Sequence, residues 1–193
     1  CGANTDCKPQ YLQQFGVMAS AYMQSVMGVD NPRISLLNNG EEAEKGCELT
    51  KAAYKLLSAA PINFAGNCEA REVLSGEFDA LVCDGFVGNV VLKYTEGLAS
   101  SMMAMLKTEL TADFKSKIGA ALSMGAFRRF KKKMDYKEVG GAPLLGINGC
   151  VIKAHGSSDA KAFASAIRQA ELFVKGNVNP KIAEAIASLP DEE

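Results

Sequence analysis

Apolar residues recur at helical spacing over residues 11–27, between Pro9 at a first-turn position and a closing Gly28. Proline sacrifices no hydrogen bond in a first turn and glycine ends a helix readily, so the segment is predicted as a helix. The pattern then shortens. "RISLLN" (33–38) reads as a buried strand, "NGEEAEKG" as a polar turn, and residues 48–57 return to helical spacing. "INFAGNCE" and "FDALVCDG" are short apolar runs ending in acid or glycine, as parallel strands do. Strands alternating with helices specify an α/β fold, with a largely parallel sheet and flanking helices.

From Asn89 to about Phe127 the rhythm changes. No proline interrupts, and Leu98, Met102, Leu106, Leu110, Phe114, Ile118 and Leu122 recur every four residues. A four-residue step overshoots a helical turn by about 40°, so six steps drift roughly 240° around the axis. One straight helix would not keep that row on one face. The segment must bend, break near Gly119 or be surrounded by other helices; a helical hairpin protruding from the sheet fits best, packed against a second subunit.

The sheet pattern resumes in "APLLGINGCVIKAHG", where "GINGCVI" is a turn and a short apolar strand. A helix over 160–175 follows, with Phe163, Ile167, Ala170 and Val174 on one face and Gly176 as its stop. A last amphipathic helix starts beside Pro180 and runs to Leu189.

Composition narrows the field. A chain of 193 residues is long enough for a substantial core, and its net charge of −1 argues against general nucleic-acid binding. Six scattered cysteines with no CxxC pair read as reduced thiols, and one histidine argues against zinc. No run of eighteen apolar residues is present, so no spanning helix is expected. The opening "CGANTDCKP" reads as the tight turn after a strand that precedes it, which suggests a fragment.

In open parallel sheets, ligands bind at the carboxyl ends of the strands. Four phrases fall there: "GANTDCKP", "NNGEEAEKG", "CDGFVGN" and "KAHGSSD". Each combines glycine with asparagine, acid or lysine, letting backbone amides approach a ligand while side chains fix it. The last has the sharpest chemistry. Ser157 or Ser158 is placed to cap the following helix, whose free N–H groups would hold a phosphate, and Lys153 and His155 alternate along the strand toward one side. A capped helix with a structurally satisfied histidine explains the same residues, and Asp159 opposes an anion if it points inward. Three motifs are discounted: Ser158 to Lys161 matches SxxK without its companion motifs, and neither a GxSxG elbow nor a GxGxxG fingerprint is present.

"SMGAFRRFKKKMDY" (123–136) places five bases among the six residues 128–133, with Met124, Phe127, Phe130 and Met134 interleaved or flanking. Such a segment lays aromatics into a lipid interface and bases on anionic headgroups, each base contributing about 1 kcal/mol. A solvated face or a dock for an acidic protein has the same pattern.

Taken in order, "GANTDCKP", "LLNNGEEAEKGCELTK", "CDGFVGNVVLK" and "MDYKEVGGAPLLGINGCVIKAHGSSD" make the chain resemble, along all its residues, the bacterial phosphate acyltransferases of the PlsX type. These are the acyl-carrier-protein:phosphate transacylases of phospholipid synthesis. The last two phrases resemble, more distantly, the phosphotransacetylases, in which an arginine stands where this chain has His155. The fold implied is that of the isocitrate and isopropylmalate dehydrogenases and the phosphotransacetylases. The resemblance further implies that residues 1–193 form one α/β domain lacking the family's N-terminal lobe, with a hairpin over 97–137 for dimerisation and membrane contact.

The implied reaction converts acyl-carrier-protein thioester and inorganic phosphate into acyl phosphate and free carrier thiol, with no cofactor and no metal. Lys153 with Gly156, Ser157 and Ser158 is assigned to phosphate. His155 or Asn89 would serve the oxyanion or the departing thiol, and Asp84, Asn4 and Lys45 would line the cleft. Phe127, Arg128, Arg129, Phe130 and Lys131 would touch the membrane. A cytoplasmic homodimer peripherally bound to the inner face of an anionic membrane is the implied setting. A phosphotransacetylase-like enzyme on a small thioester, and a non-catalytic oligomerising or carrier-binding fragment, stand as alternatives.

Overall fold

The computed structural model describes residues 1–133, 141–156 and 158–190. Helix α1 (Pro9–Ser25) begins on its proline and ends three residues before Gly28, whose φ of +71° turns the chain into the first strand. Strand β1 (Ile34–Asn38), helix α2 (Glu48–Ala59), β2 (Phe64–Glu69) and β3 (Ala80–Val82) follow, with a single 3-10 turn at Ala70–Glu72. The sheet order is β2-β1-β3, and both pairings are parallel. This is the α/β arrangement that the alternation predicts.

A second layer departs from the expectation of one continuing sheet. Strands β4 (Gly141–Pro143) and β5 (Ile152–Ala154) pair antiparallel as a separate hairpin, Ala142 opposite Lys153. Asn179 clamps the connecting loop by donating to the carbonyls of Ile147 (3.1 Å) and Gly149 (2.9 Å). Helices α6 (Ala160–Lys175) and α7 (Val178–Ala187) complete the layer. Gly176 caps α6 in an ordinary right-handed conformation; the left-handed turn into α7 is made by Asn177, φ +51°.

Two cores meet on α1. Leu12 joins Ile34, Leu36, Ala53, Leu57 and Val82 under the sheet, while Ala21 joins Phe173, Val178 and Ile182 on the other side. Full burial of a Leu or Ile side chain is worth about 1.5–3 kcal/mol, so the first cluster anchors the strand ends above it. Tyr22 donates to Gln169 Oε1 at 3.1 Å and Lys181 to Ser25 Oγ at 3.0 Å, tying α6 and α7 to the same helix.

The proline-free run forms α3 (Gly85–Leu110), α4 (Phe114–Leu122) and α5 (Met124–Lys133). The break expected near Gly119 falls instead at residues 111–113. Asp113 starts α4 there by accepting from the Ser116 N–H at 2.9 Å, and Gly119 lies inside that helix. The four-residue row is uncovered: Met102 is 60% exposed, Phe114 78% and Leu122 85%. Helix α6 also turns opposite to expectation. It buries Ala162, Ser165, Ala166 and Phe173, leaving Phe163, Ile167 and Val174 exposed. Helix α6 packs on the β4–β5 hairpin through its small residues, and hydrophobic spacing alone does not say which flank of a stripe meets the partner. Among the described residues no helix is long and apolar enough to cross a membrane.

Candidate active site

The carboxyl ends of β1, β2 and β3 share one edge of the parallel sheet, and two of the predicted phrases meet there. The Gly2 N–H donates to the Cys83 carbonyl at 3.0 Å, and the Gly85 N–H donates to the Asn4 carbonyl at 2.7 Å. The loop carrying Asn4 is thereby laid across the start of α3. A Cβ on Gly85 would stand 2.7 Å from the Gly2 carbonyl oxygen and 2.9 Å from that of Asn4, so this approach requires glycine. Asp84 is the N-cap of α3, its Oδ1 accepting from the Val87 N–H at 2.7 Å. Its carboxylate therefore already answers the helix dipole. Asn89 lies one turn further on, exposed on α3.

Lys45 stands at the neighbouring strand end, held through Asn38 by Asn67, which the sequence reading did not single out. Asn38 Nδ2 donates to the Lys45 carbonyl at 3.2 Å and to Asn67 Oδ1 at 3.1 Å, and Asn67 Nδ2 donates to the Glu42 carbonyl at 2.8 Å. Asn67 is 5% exposed. An asparagine inside an otherwise apolar strand, as in "INFAGNCE", was the available signal, because a buried amide needs partners to justify its place. The surroundings are acidic. Arg71 pairs with Glu69 at 2.7 Å and Glu41 at 3.2 Å, and the buried Cys68 thiol is pushed up to about 11 by burial and then by Glu72, Glu77, Glu41 and Glu69.

The third corner is built on the hairpin. Strand β5 delivers Lys153 and then His155, both exposed, and the Ser158 N–H closes a turn on the His155 carbonyl at 2.9 Å. Ser158 does not cap α6. Asp159 does so, its Oδ1 accepting from the Ala162 N–H at 2.9 Å, because a carboxylate is the stronger acceptor at a helix start. Ser158 Oγ is a buried oxygen without a hydrogen-bond partner among the described residues; Ser157 lies outside them. The Glu96 carboxyl is held below its usual range first by Lys93, 2.8 Å away, and then by the charge of His155. Glu96 lies seven residues beyond Asn89, about 10 Å along the same helix.

An open groove of about 520 Å³ between α1 and α2, lined by Pro9, Gln10, Glu48, Lys51, Ala52, Lys55 and Leu56, contains none of the predicted site residues. On α5, Arg128, Arg129 and Phe130 are exposed and Phe127 is half-buried, while the side chain of Lys131 lies outside the described residues, as do positions 134–137 of the predicted hairpin.

Residues 1–181 match the family model described as fatty acid synthesis protein. The chain belongs to this family. Among curated relatives, a protein of Clostridium perfringens named phosphate acyltransferase is 55% identical over 186 residues, 96% of this chain and 55% of the relative. One of Alkaliphilus oremlandii with the same name is 52% identical over 192 residues, covering 100% of this chain and 57% of its own length. A Clostridium botulinum relative, again so named, is 53% identical over 188 residues. The chain spans little more than half the length of these relatives. The family is the one that the four strand-end phrases resemble.

Proposed function

We propose that this chain is part of a phosphate acyltransferase that moves an acyl group from an acyl-carrier-protein thioester to inorganic phosphate. The observation that carries the reading is membership of a family whose members, more than half identical along nearly all of this chain, bear that name. The geometry supports it with a second argument. Phosphate already carries a nucleophilic oxygen, so the protein needs an anion cradle and a proton route rather than a covalent nucleophile. The phosphate oxygen attacks the thioester carbonyl, the C–S bond breaks, and the proton of the attacking hydrogen phosphate ends on the departing thiol.

Lys153, His155 and the Gly156 backbone form the cradle, with Ser158 Oγ as an unspent donor. Asp159 occupies the start of α6, so the anion sits on the turn rather than on the helix axis. The acidic flank near Lys45 is the poorer phosphate site and suits a role at the cleft rim. Asn89, exposed on α3, is assigned to the thioester oxygen. His155 carries the proton, a general acid–base role worth roughly 10²–10⁴ in rate. Phosphate-dependent release of carrier thiol by the full-length protein, with acyl phosphate trapped as hydroxamate, tests the reaction; thiol release that ignores phosphate overturns it. His155→Ala should lower that rate by about 10²–10⁴. A normal rate removes His155 from the mechanism.

The uncovered row on α3 and α4 supports a homodimer in which a second copy buries it, and exposed Arg128, Arg129 and Phe130 support docking of α5 on an anionic membrane surface. Acyl phosphate hydrolyses in water, so release at the cytoplasmic membrane face shortens its path to the next acyl acceptor.

A further inference from the structure

Asn67 is a strand amide buried to 5% exposure, and the proposed reaction gives it no part. The build of β2 explains how it comes to face the Lys45 loop. Ile34 pairs with Phe64 and Leu36 with Asn67, so two steps along β1 span three along β2. The extra residue makes a β-bulge, where Gly66 takes a φ of +90° and Ser35 Oγ donates to its carbonyl at 2.6 Å. Side chains alternate along a strand, so the bulge sets Asn67 on the face of Leu36 and Asn38; regular pairing would turn it to the other side. Bulges re-aim side chains in this way beside functional sites.

On that face both polar atoms of the amide are spent on the loop. Asn67 Oδ1 accepts from Asn38 Nδ2 at 3.1 Å, and Asn67 Nδ2 donates to the Glu42 carbonyl at 2.8 Å. Asn38 Nδ2 also donates to the Lys45 carbonyl at 3.2 Å, and Asn38 Oδ1 accepts from the Asn39 N–H at 2.9 Å. The Lys45 N–H donates to the Glu42 carbonyl at 3.1 Å, and a Cβ on Gly46 would collide with the Asn38 amide. The backbone on both sides of Lys45 is thus tied to Asn67, directly at Glu42 and through Asn38 at Lys45.

We propose that Asn67 is a positioning residue for the acyl transfer: with Asn38 it fixes the loop that holds the Lys45 ammonium at the cleft rim, where Lys45 meets the thioester substrate. The proposal rests on the acyltransferase reading. Charge selects the substrate. Glu41, Glu42 and Glu44 share the loop with Lys45, and Glu69 stands with Glu41 around Arg71, so a free phosphate is repelled there. A neutral thioester and its arm offer carbonyl oxygens to the lysine without that repulsion.

Thiol release by the full-length protein, titrated with carrier thioester and with phosphate in turn, tests the proposal. Asn67→Ala should raise KM for the thioester roughly tenfold, inside the ~100-fold that a misplacement of about 1 Å can cost, and leave KM for phosphate unchanged. Lys45→Ala should do the same, and the double variant should be no worse than Lys45→Ala, because a residue that acts through Lys45 has nothing left to lose. A purely structural asparagine would lower stability without that coupling. Additive losses, or a raised KM for phosphate, overturn the proposal. Trypsin reads the loop without catalysis: Asn67→Ala should speed cleavage after Lys45 several-fold relative to cleavage after Lys117 in α4, and an unchanged ratio overturns the proposal whatever the kinetics. Asn38→Ala, half-buried at the strand end, makes the same tests where Asn67→Ala does not fold. A wild type without phosphate-dependent release fails the acyltransferase reading and this proposal together; additive losses in an active enzyme fail this proposal alone.

Discussion

Replacing Gly85 by alanine sets two rules of opposite sign against each other. Gly85 is the first residue of α3, and alanine is favoured over glycine in helices by up to ~1 kcal/mol. Its added Cβ would meet three backbone atoms, the Gly2 oxygen at 2.7 Å, the Asn4 oxygen at 2.9 Å and the Ala3 carbonyl carbon at 3.1 Å. Backbone does not swing aside as a side chain does, so the loop must move. Overpacking of this kind costs roughly 1–3 kcal/mol. The 2.7 Å bond from the Gly85 N–H to the Asn4 carbonyl is lost or stretched with it, at about 0.5–1.5 kcal/mol. The balance is a loss of about 0.5–3.5 kcal/mol, which lowers Tm by roughly 1–14 °C for a chain of this size. Gly119→Ala supplies the contrast. It lies inside α4 with nothing within 4 Å of its Cβ position, so propensity acts alone and Tm should hold or rise. Calorimetry or urea titration of both variants reads the two signs. An unchanged or raised Tm for Gly85→Ala would refute the loop contact.

Asn67→Ala removes the shared partner of the Asn38 amide and the Glu42 carbonyl, which should cost about 1–3 kcal/mol and speed proteolysis within residues 39–46. The Cys68 thiol leads to a pH prediction. Unfolded, it ionises near the usual 9.0; folded, it holds its proton until about 11, so its contribution is whole below pH 9 and lost as pH rises through 11. The urea midpoint should fall less steeply across that window in Cys68→Ala than in wild type; equal slopes would mean equal ionisation in both states. Arg128→Glu with Arg129→Glu should release the full-length protein from anionic vesicles in a flotation assay while leaving Tm within about 1 °C, because both side chains are exposed. Retained flotation would leave α5 as a protein dock.

The helices bounding the parallel sheet were legible because their ends carry their own signals. Pro9 opens α1, and the polar turn before Glu48 opens α2. Strand direction at β4 and β5 was not legible, because strands of three residues hold too little alternation to reveal pairing. At the start of α6, two serines drew the eye from Asp159, although the carboxylate is the better acceptor. Gly119 misled for an energetic reason. A glycine inside a helix costs only about 1 kcal/mol, whereas Asp113 supplies a start that the chain adopts. Of the strand-end phrases, "CDGFVGN" runs from Gly85 onward inside α3 rather than in a loop, and Asn67, the buried partner of Asn38, became visible only through a hydrogen bond that crosses 29 residues of sequence.

Helix α1 supplies Leu12 to one core and Ala21 to the other, so neither cluster owns it. Losing the helix exposes apolar surface on both sides at once, and either layer alone would have to surrender it to melt. The parallel sheet and the β-hairpin layer are therefore yoked into one cooperative unit. Every amide in the middle of α1 should exchange with solvent only through global opening, which makes this segment the stability reporter for the whole fold.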